Sequence, residues 1–173
     1  TVEDNIVVAK NITSIAADTT KNILYVNAAA IYGSGSEPTS PSKLYVVNTA
    51  NKQITPMTFG AEEIEVLSFL KRAILISRNY NNNSNGNGQL LVMNTDNQTV
   101  QLFSSSTSIT NAYSLNFIPE VPALFVGDAD NYVNKGKMNI FNFDIYTGAF
   151  SNGFAVNVGV SPKAFAVSHS SKK

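Results

Sequence analysis

Short apolar runs, broken by polar stretches rich in Asn, Gly, Ser and Pro, follow one another along the whole chain. None carries a helical period. Residues 64–70 alternate apolar and polar side chains, the pattern of a half-buried strand. Residues 23–27 and 43–47 are dense in β-branched and aromatic side chains, which suit a pleated surface. The runs also recur. KLYVVNTANKQI, from Lys43, returns as QLLVMNTDNQTV from Gln89 and, blurred, as KMNIFNFDIYTGAF from Lys137. A second track runs through NILYV at Asn22, AILIS at Ala73 and ALFVG at Ala123. Leu44 and Leu90 lie 46 residues apart, and Leu90 and Met138 lie 48 apart. The starts of the second track are 51 and 50 residues apart.

Two tracks of nearly one period imply one structural unit copied in tandem. A unit of roughly 40–50 residues built from short strands is the mark of a β-propeller blade. The first unit, 11–59, predicts strands over 12–17, 23–27, 43–47 and 53–59. The second, 60–104, predicts strands over 64–70, 74–77, 89–93 and 99–103. The third, 108–157, predicts strands over 112–118, 124–127, 138–143 and 150–156. DTTKN, NTANK, TDNQ, PEVP and YTG supply turn chemistry between them. A β-sandwich also offers short strands and turns, but it gives no reason for two parallel tracks.

Both ends read as parts of further blades. Residues 4–10 have the spacing of an outer strand, and 163–167 stand where a next inner strand would start. The expectation is an all-β chain, one propeller segment over 1–173 with about three complete four-stranded blades. Partial blades are expected over 3–10 and 159–168. Rings close with ~4–8 blades, and an open stack leaves two apolar faces uncovered. The remaining blades, from an N-terminal half or a second chain, are therefore expected partners.

In such a fold the connections from second to third strand share a face with the blade-to-blade connections. Here that set is long, 28–42, 79–88 and 128–136, while the opposite set is short. Long loops on a rigid scaffold are where binding concentrates. Each long loop carries a tyrosine near its start, Tyr32, Tyr80 and Tyr132. Tyrosine offers a broad apolar face and a hydroxyl at low rotamer cost. Either these rings form a ligand platform or they cap strand ends. Asn79, Asp128, Asp130 and Asn131 would add hydrogen bonds, which completes the expected ligand-binding set. Asp128, Asp130 and Asn131 also offer oxygens of the kind calcium takes, but without the glycine and distant glutamate of an EF-hand loop. Loop bracing is the preferred reading there, and neither metal nor cofactor is expected.

Composition narrows the classes. The 173 residues carry twelve basic and twelve acidic side chains and no net charge, with no basic stripe for nucleic acid. No apolar run approaches the ~20 residues of a membrane-spanning helix. Cysteine is absent, which excludes disulfides and thiolate metal sites. Abundant Asn and sparse charge suit an extracytoplasmic bacterial β protein. Thr1 reads as a processed or trimmed start. The sole histidine, His169, sits in a Ser/Lys-rich tail, so no Ser–His–Asp set can be assembled. Glu62, Glu63 and Glu65 read as a solvated lead-in to a blade rather than paired acid–base groups. GSGSEP lacks the strand-then-helix context of a dinucleotide site. There is no tryptophan, hence no WD dipeptide. These absences favour a protein that is not an enzyme.

Residues 112–167, through FVGDADNYVNKGKM, the Thr147–Gly148 turn and NVGVSPKAFAV, resemble the C-terminal end of YncE-like surface-layer-protein propellers of Gram-negative gut anaerobes. The resemblance implies a seven-bladed ring, a lipoprotein facing outward from the outer membrane, and Lys173 near a true C-terminus. Some members capture cobalamin and pass it to a TonB-dependent transporter. The chain departs from the pattern in its longer, Asn-rich loops over 28–42 and 79–88. Only the match at Asp128 to Tyr132 is carried over. The expected function is thus a cell-surface or periplasmic binding protein that captures a corrinoid or glycan for TonB-dependent uptake. A protein-interaction scaffold, or a lyase- or lactonase-type propeller enzyme with its catalytic groups in the missing blades, are the alternatives.

Overall fold

A computed structural model describes residues 5–34, 38–82, 86–103, 108–144 and 149–163. The chain divides into two compact units, Thr1–Ser104 and Ser105–Lys173, so the boundary falls between the second and third repeats.

The first unit holds two antiparallel four-stranded sheets. Strand β1 (Ile12–Asp18) turns back into β2 (Ile23–Ala28). Asp18 Oδ1 closes that turn by accepting from the Thr20 N–H at 3.2 Å and the Thr20 hydroxyl at 2.6 Å. Asn22 completes it at φ 54°, a left-handed conformation that Asn tolerates well. The long loop that follows contains a small hairpin, β3 (Ile31–Tyr32) with β4 (Pro38–Ser40), which the sequence pattern does not predict. Next come β5 (Lys43–Asn48) and β6 (Ile54–Pro56), giving the sheet order β1-β2-β5-β6.

The second sheet is built in the same order from β7 (Glu63–Leu67), β8 (Arg72–Ser77), β9 (Gln89–Asn94) and β10 (Val100–Leu102). The strand expected over 64–70 ends at Leu67, because Ser68–Leu70 form a 3₁₀ turn closed by Lys71 at φ 56°. The outer strands expected over 53–59 and 99–103 shorten to three residues each.

The repeat in sequence is a repeat in backbone detail. Asn48 Oδ1 accepts from the Ala50 N–H at 2.9 Å, and Asn94 Oδ1 accepts from the Asp96 N–H at 2.8 Å. Each of these turns then passes through a left-handed residue, Lys52 and Gln98, both at φ 60°. The two sheets bury apolar faces against one another. Tyr25, Leu44, Val46 and Phe59 meet Ala73, Leu75, Leu91 and Met93 in one cluster. Burying a side chain of this size contributes roughly 1.5–3 kcal/mol. The first strands of the two sheets, β1 and β7, lie beside each other.

The second unit is a single sheet of β11 (Ala112–Ile118), β12 (Ala123–Asp128), β13 (Lys137–Phe143) and β14 (Phe150–Asn157), again in sequential order. Its ring contacts run Phe117–Phe143–Phe150, with centroids 5.4 and 4.9 Å apart. β11 repeats an irregularity of β1. The register shifts between Ala112 and Ser114, as it does between Ile12 and Ser14. Beside each shift an asparagine carbonyl receives the chain leaving the second strand, Ala29 N–H to Asn11 O at 2.9 Å and Ala129 N–H to Asn111 O at 3.0 Å.

The chain leaving the fourth strand is braced alike in all three sheets. Met57 N–H donates to Leu44 O at 2.7 Å, Phe103 N–H to Leu90 O at 2.9 Å and Val158 N–H to Gly136 O at 2.9 Å. Residues 5–10, expected to hold an outer strand, form none. Thr147, Gly148, His169 and the rest of the strand expected over 163–167 lie outside the described residues. Among the described residues no helix is long and apolar enough to cross a membrane.

Candidate functional site

The polar residue that ends β2 organises one end of the first unit. Asn27 is 2% exposed, the last-but-one residue of an otherwise apolar strand. Its Nδ2 donates to Thr13 Oγ1 at 2.9 Å, and its Oδ1 accepts from the Ala61 N–H at 2.8 Å. One amide thus ties the start of β1 to the lead-in to β7. Asn79, just past β8, does similar work. Its Oδ1 accepts from the Gly60 N–H at 2.9 Å, and its Nδ2 donates to Ser42 O at 3.0 Å. Gly60 has to be glycine, because the Ser42 side chain occupies the place a Cβ would take. Buried amides held this way stabilise when every hydrogen-bonding atom is matched.

These ties pull the chain into the walls of a cleft of about 480 Å³, within the size range of small-molecule sites. Ala29 and Ala30 line it after β2, Pro41 and Ser42 before β5, Glu62 before β7, and Arg78 after β8. Every one of these stretches is a second-to-third-strand connection or a sheet-to-sheet connection. Glu62 Oε1 pairs with Arg78 Nε at 2.7 Å, and Arg78 Nη1 also holds Gly86 O at 2.9 Å, so the loop after β8 is anchored to the wall. The pair leaves the wall without net charge. Tyr32, carried by the β3–β4 hairpin, lines the cleft and is 61% exposed. Such an exposed ring on a hydrogen-bonded scaffold can offer a flat apolar face to a ligand.

The expected binding residues separate into distinct roles. Tyr32 and Asn79 both line the cleft, but the Asn79 amide is engaged with backbone and serves as wall. Tyr80 is not a platform. Its hydroxyl donates to Val100 O at 3.1 Å and its ring meets Phe59 edge-on at 5.3 Å, so it packs against the core between the sheets.

In the second unit Asp128 is buried and its carboxylate accepts three backbone N–H groups, from Thr110 at 2.9 Å, Asn111 at 2.9 Å and Asp130 at 3.0 Å. Asn131 Oδ1 accepts from the N–H groups of Val133 and Asn134 at 3.0 and 2.9 Å. Asp130, at φ 49°, accepts from Asn134 Nδ2 at 3.3 Å. Asp128 thus ties its loop to the lead-in to β11, while Asp130 and Asn131 brace the loop itself, and no group of acidic or imidazole side chains suited to a metal occurs among the described residues. Tyr132 stays accessible, 43% exposed and edge-on to Tyr113 at 5.7 Å.

Asn27, Ser42, Glu62 and Arg78 escaped sequence reasoning as site residues. A lone Asn inside an apolar strand was a usable signal for the first. For the Glu62–Arg78 pair the signal was opposite charge just outside two consecutive strands, which the antiparallel register of β7 and β8 brings together.

The opposite end of the first unit holds a charged network. Lys21 Nζ lies 3.8 Å from Asp18 Oδ2, donates to Thr95 Oγ1 at 2.6 Å and pairs with Asp96, which Lys71 also reaches at 3.1 Å. Burial pushes the Asp18 carboxyl up, but hydrogen bonds from Thr20 and Ser68 and the Lys21 charge outweigh it, leaving it below the ordinary aspartate range. Hydrogen bonds from Lys21 and Lys71 hold Asp96 low as well. Tyr25 is fully buried, and its hydroxyl has no hydrogen-bond partner among the described residues. Burial, together with the charges of Asp18 and Asp96, pushes its phenol up to about 12. This end is a brace between two turns.

The sequence matches no family model and no curated protein.

Proposed function

We propose that the chain forms part of a β-propeller and binds a small ligand on its long-loop face without transforming it. The cleft walled by Asn27, Asn79 and the Glu62–Arg78 pair, with Tyr32 at its side, carries this reading. Three sheets in sequential strand order support the propeller, as do β1 and β7 side by side and the apolar core between successive sheet faces. The resemblance of residues 112–167 to YncE-like surface-layer propellers supports a seven-bladed ring and a role at the bacterial surface, feeding a TonB-dependent transporter.

Two measurements test the reading. Mass determination in solution should find the chain assembled with further blades or with copies of itself, whereas a stable folded monomer of 18.6 kDa would count against ring completion by partners. Calorimetric titration with cyanocobalamin and a panel of neutral glycans should give binding with one class, and silence with all of them would remove the ligand-capture reading. A protein-docking role is the second reading. It draws on Tyr132 and Val133, which are 43% and 80% exposed on the long loop of the second unit. Capture of an outer-membrane transporter that is lost on Tyr132→Ala would favour it.

A further inference from the structure

Within that binding reading, the polar groups of the cleft select a ligand class. Most are already spent. The Asn27 amide is engaged by Thr13 and Ala61, the Asn79 amide by Gly60 and Ser42, and the Ser42 hydroxyl by Ala28 O at 3.1 Å. Hydrogen-bonding specificity therefore falls to the Glu62–Arg78 pair, in which Glu62 uses Oε1 at 2.7 Å. The remaining contact surface is the Tyr32 ring together with Pro41, Ala29 and Ala30.

We propose that this cleft takes one or two rings of a neutral saccharide, with a sugar face on Tyr32 and vicinal hydroxyls on the Glu62–Arg78 pair. A hydroxyl both donates and accepts, so it suits a carboxylate beside a guanidinium without disturbing their mutual neutralisation. The C–H face of a pyranose is apolar and flat, the counterpart of an exposed tyrosine ring. An anionic ligand is disfavoured, since it would compete with Glu62 for Arg78 and face the displaced carboxylate. A wholly apolar ligand would desolvate the ion pair and return no hydrogen bonds. A corrinoid, much broader than a sugar, would meet a cleft of about 480 Å³ only with one edge.

The test is protein-observed NMR on the full chain, with methyl glucoside, methyl galactoside, maltose, cellobiose and lactose as neutral probes. Galacturonate and cyanocobalamin are the contrasting probes. At least one neutral sugar should shift the amides of Gly60, Ala61 and Gly86. Tyr32→Ala should weaken that sugar about tenfold or more, while Tyr32→Phe stays within about threefold of the parent. Glu62→Gln removes the carboxylate that an anionic sugar would face, so it should shift the preference toward galacturonate, a change that a purely structural role of Glu62 would not produce.

Shifts of the same amides by galacturonate or cyanocobalamin alone, in the parent protein, would overturn the saccharide class and leave the cleft a binding site. Absence of shifts at these amides with every probe would overturn both.

Discussion

Lys21 donates to Thr95 Oγ1 at 2.6 Å across a sequence separation of 74 residues. The contact clamps the first turn of one sheet to the last turn of the next, and the same ammonium neutralises buried Asp18. Lys21→Met is expected to lower unfolding stability by about 1–3 kcal/mol, because a buried carboxylate loses its counter-charge. Lys71→Met, which removes an exposed partner of Asp96, should cost less than about 1 kcal/mol. Urea denaturation of the two variants reads the contrast, and equal midpoints would defeat the clamp.

Asp18 also predicts acid sensitivity. Its folded-state pKa lies below the ordinary aspartate value of about 3.9, so its contribution is present above that pH. The contribution drains away as pH falls through the lower, folded value. A stability–pH curve should drop below about pH 4, and Asp18→Asn should flatten the drop while lowering stability at neutral pH.

Tyr25 predicts the opposite limb. A phenol raised to about 12 in the folded state, against about 10 when unfolded, keeps its full contribution below pH 10. That contribution is lost as pH climbs toward 12. Tyr25→Phe should remove this alkaline loss. It should also raise neutral-pH stability by about 1 kcal/mol, since the deleted hydroxyl is buried with no partner among the described residues. A destabilised Phe variant would mean that the hydroxyl is satisfied in solution.

Two loop tyrosines should behave differently. Tyr80→Ala removes a ring packed on Phe59 and a hydrogen bond to Val100, and should cost about 2–4 kcal/mol. Tyr32→Ala touches an exposed ring and should stay within about 0.5 kcal/mol. Thermal melts followed by circular dichroism would show both.

Calcium offers a further check. The Asp128 carboxylate already accepts three backbone N–H groups, which a cation would have to displace. Neither calcium nor a chelator should shift the melting temperature. Asp128→Ala should lower stability by about 2 kcal/mol or more. A calcium-dependent rise in the melt would restore the metal reading of this loop.

The strands were legible because each copy restates the others. Asn48 and Asn94, or Leu44 and Leu90, occupy equal places in sequence and in the sheets, so a weak local pattern is confirmed by its neighbour. The outer strands were read too long because their apolar residues, such as Met57 and Phe59, serve the core from irregular backbone beyond β6. The face bearing the cleft could be sorted by loop length alone. The chemistry of its walls could not. Glu62 meets Arg78 only once β7 and β8 pair in register, and Asn27 meets Ala61 only after two sheets have folded against each other. Tyr80 and Asp128 show the converse, since a polar or aromatic residue at the mouth of a loop looks the same in sequence whether it faces solvent or holds the loop shut.

The three equivalent braces run from Met57, Phe103 and Val158 back to Leu44, Leu90 and Gly136 at the heads of the preceding third strands, and close each sheet using no atom from a loop interior. The connection that leads into each third strand differs from copy to copy. It contains a hairpin in one copy, a turn through left-handed Asn81 in the next and an Asx-type turn in the third. Insertion and drift can therefore rewrite the loop face while the frame beneath keeps its register.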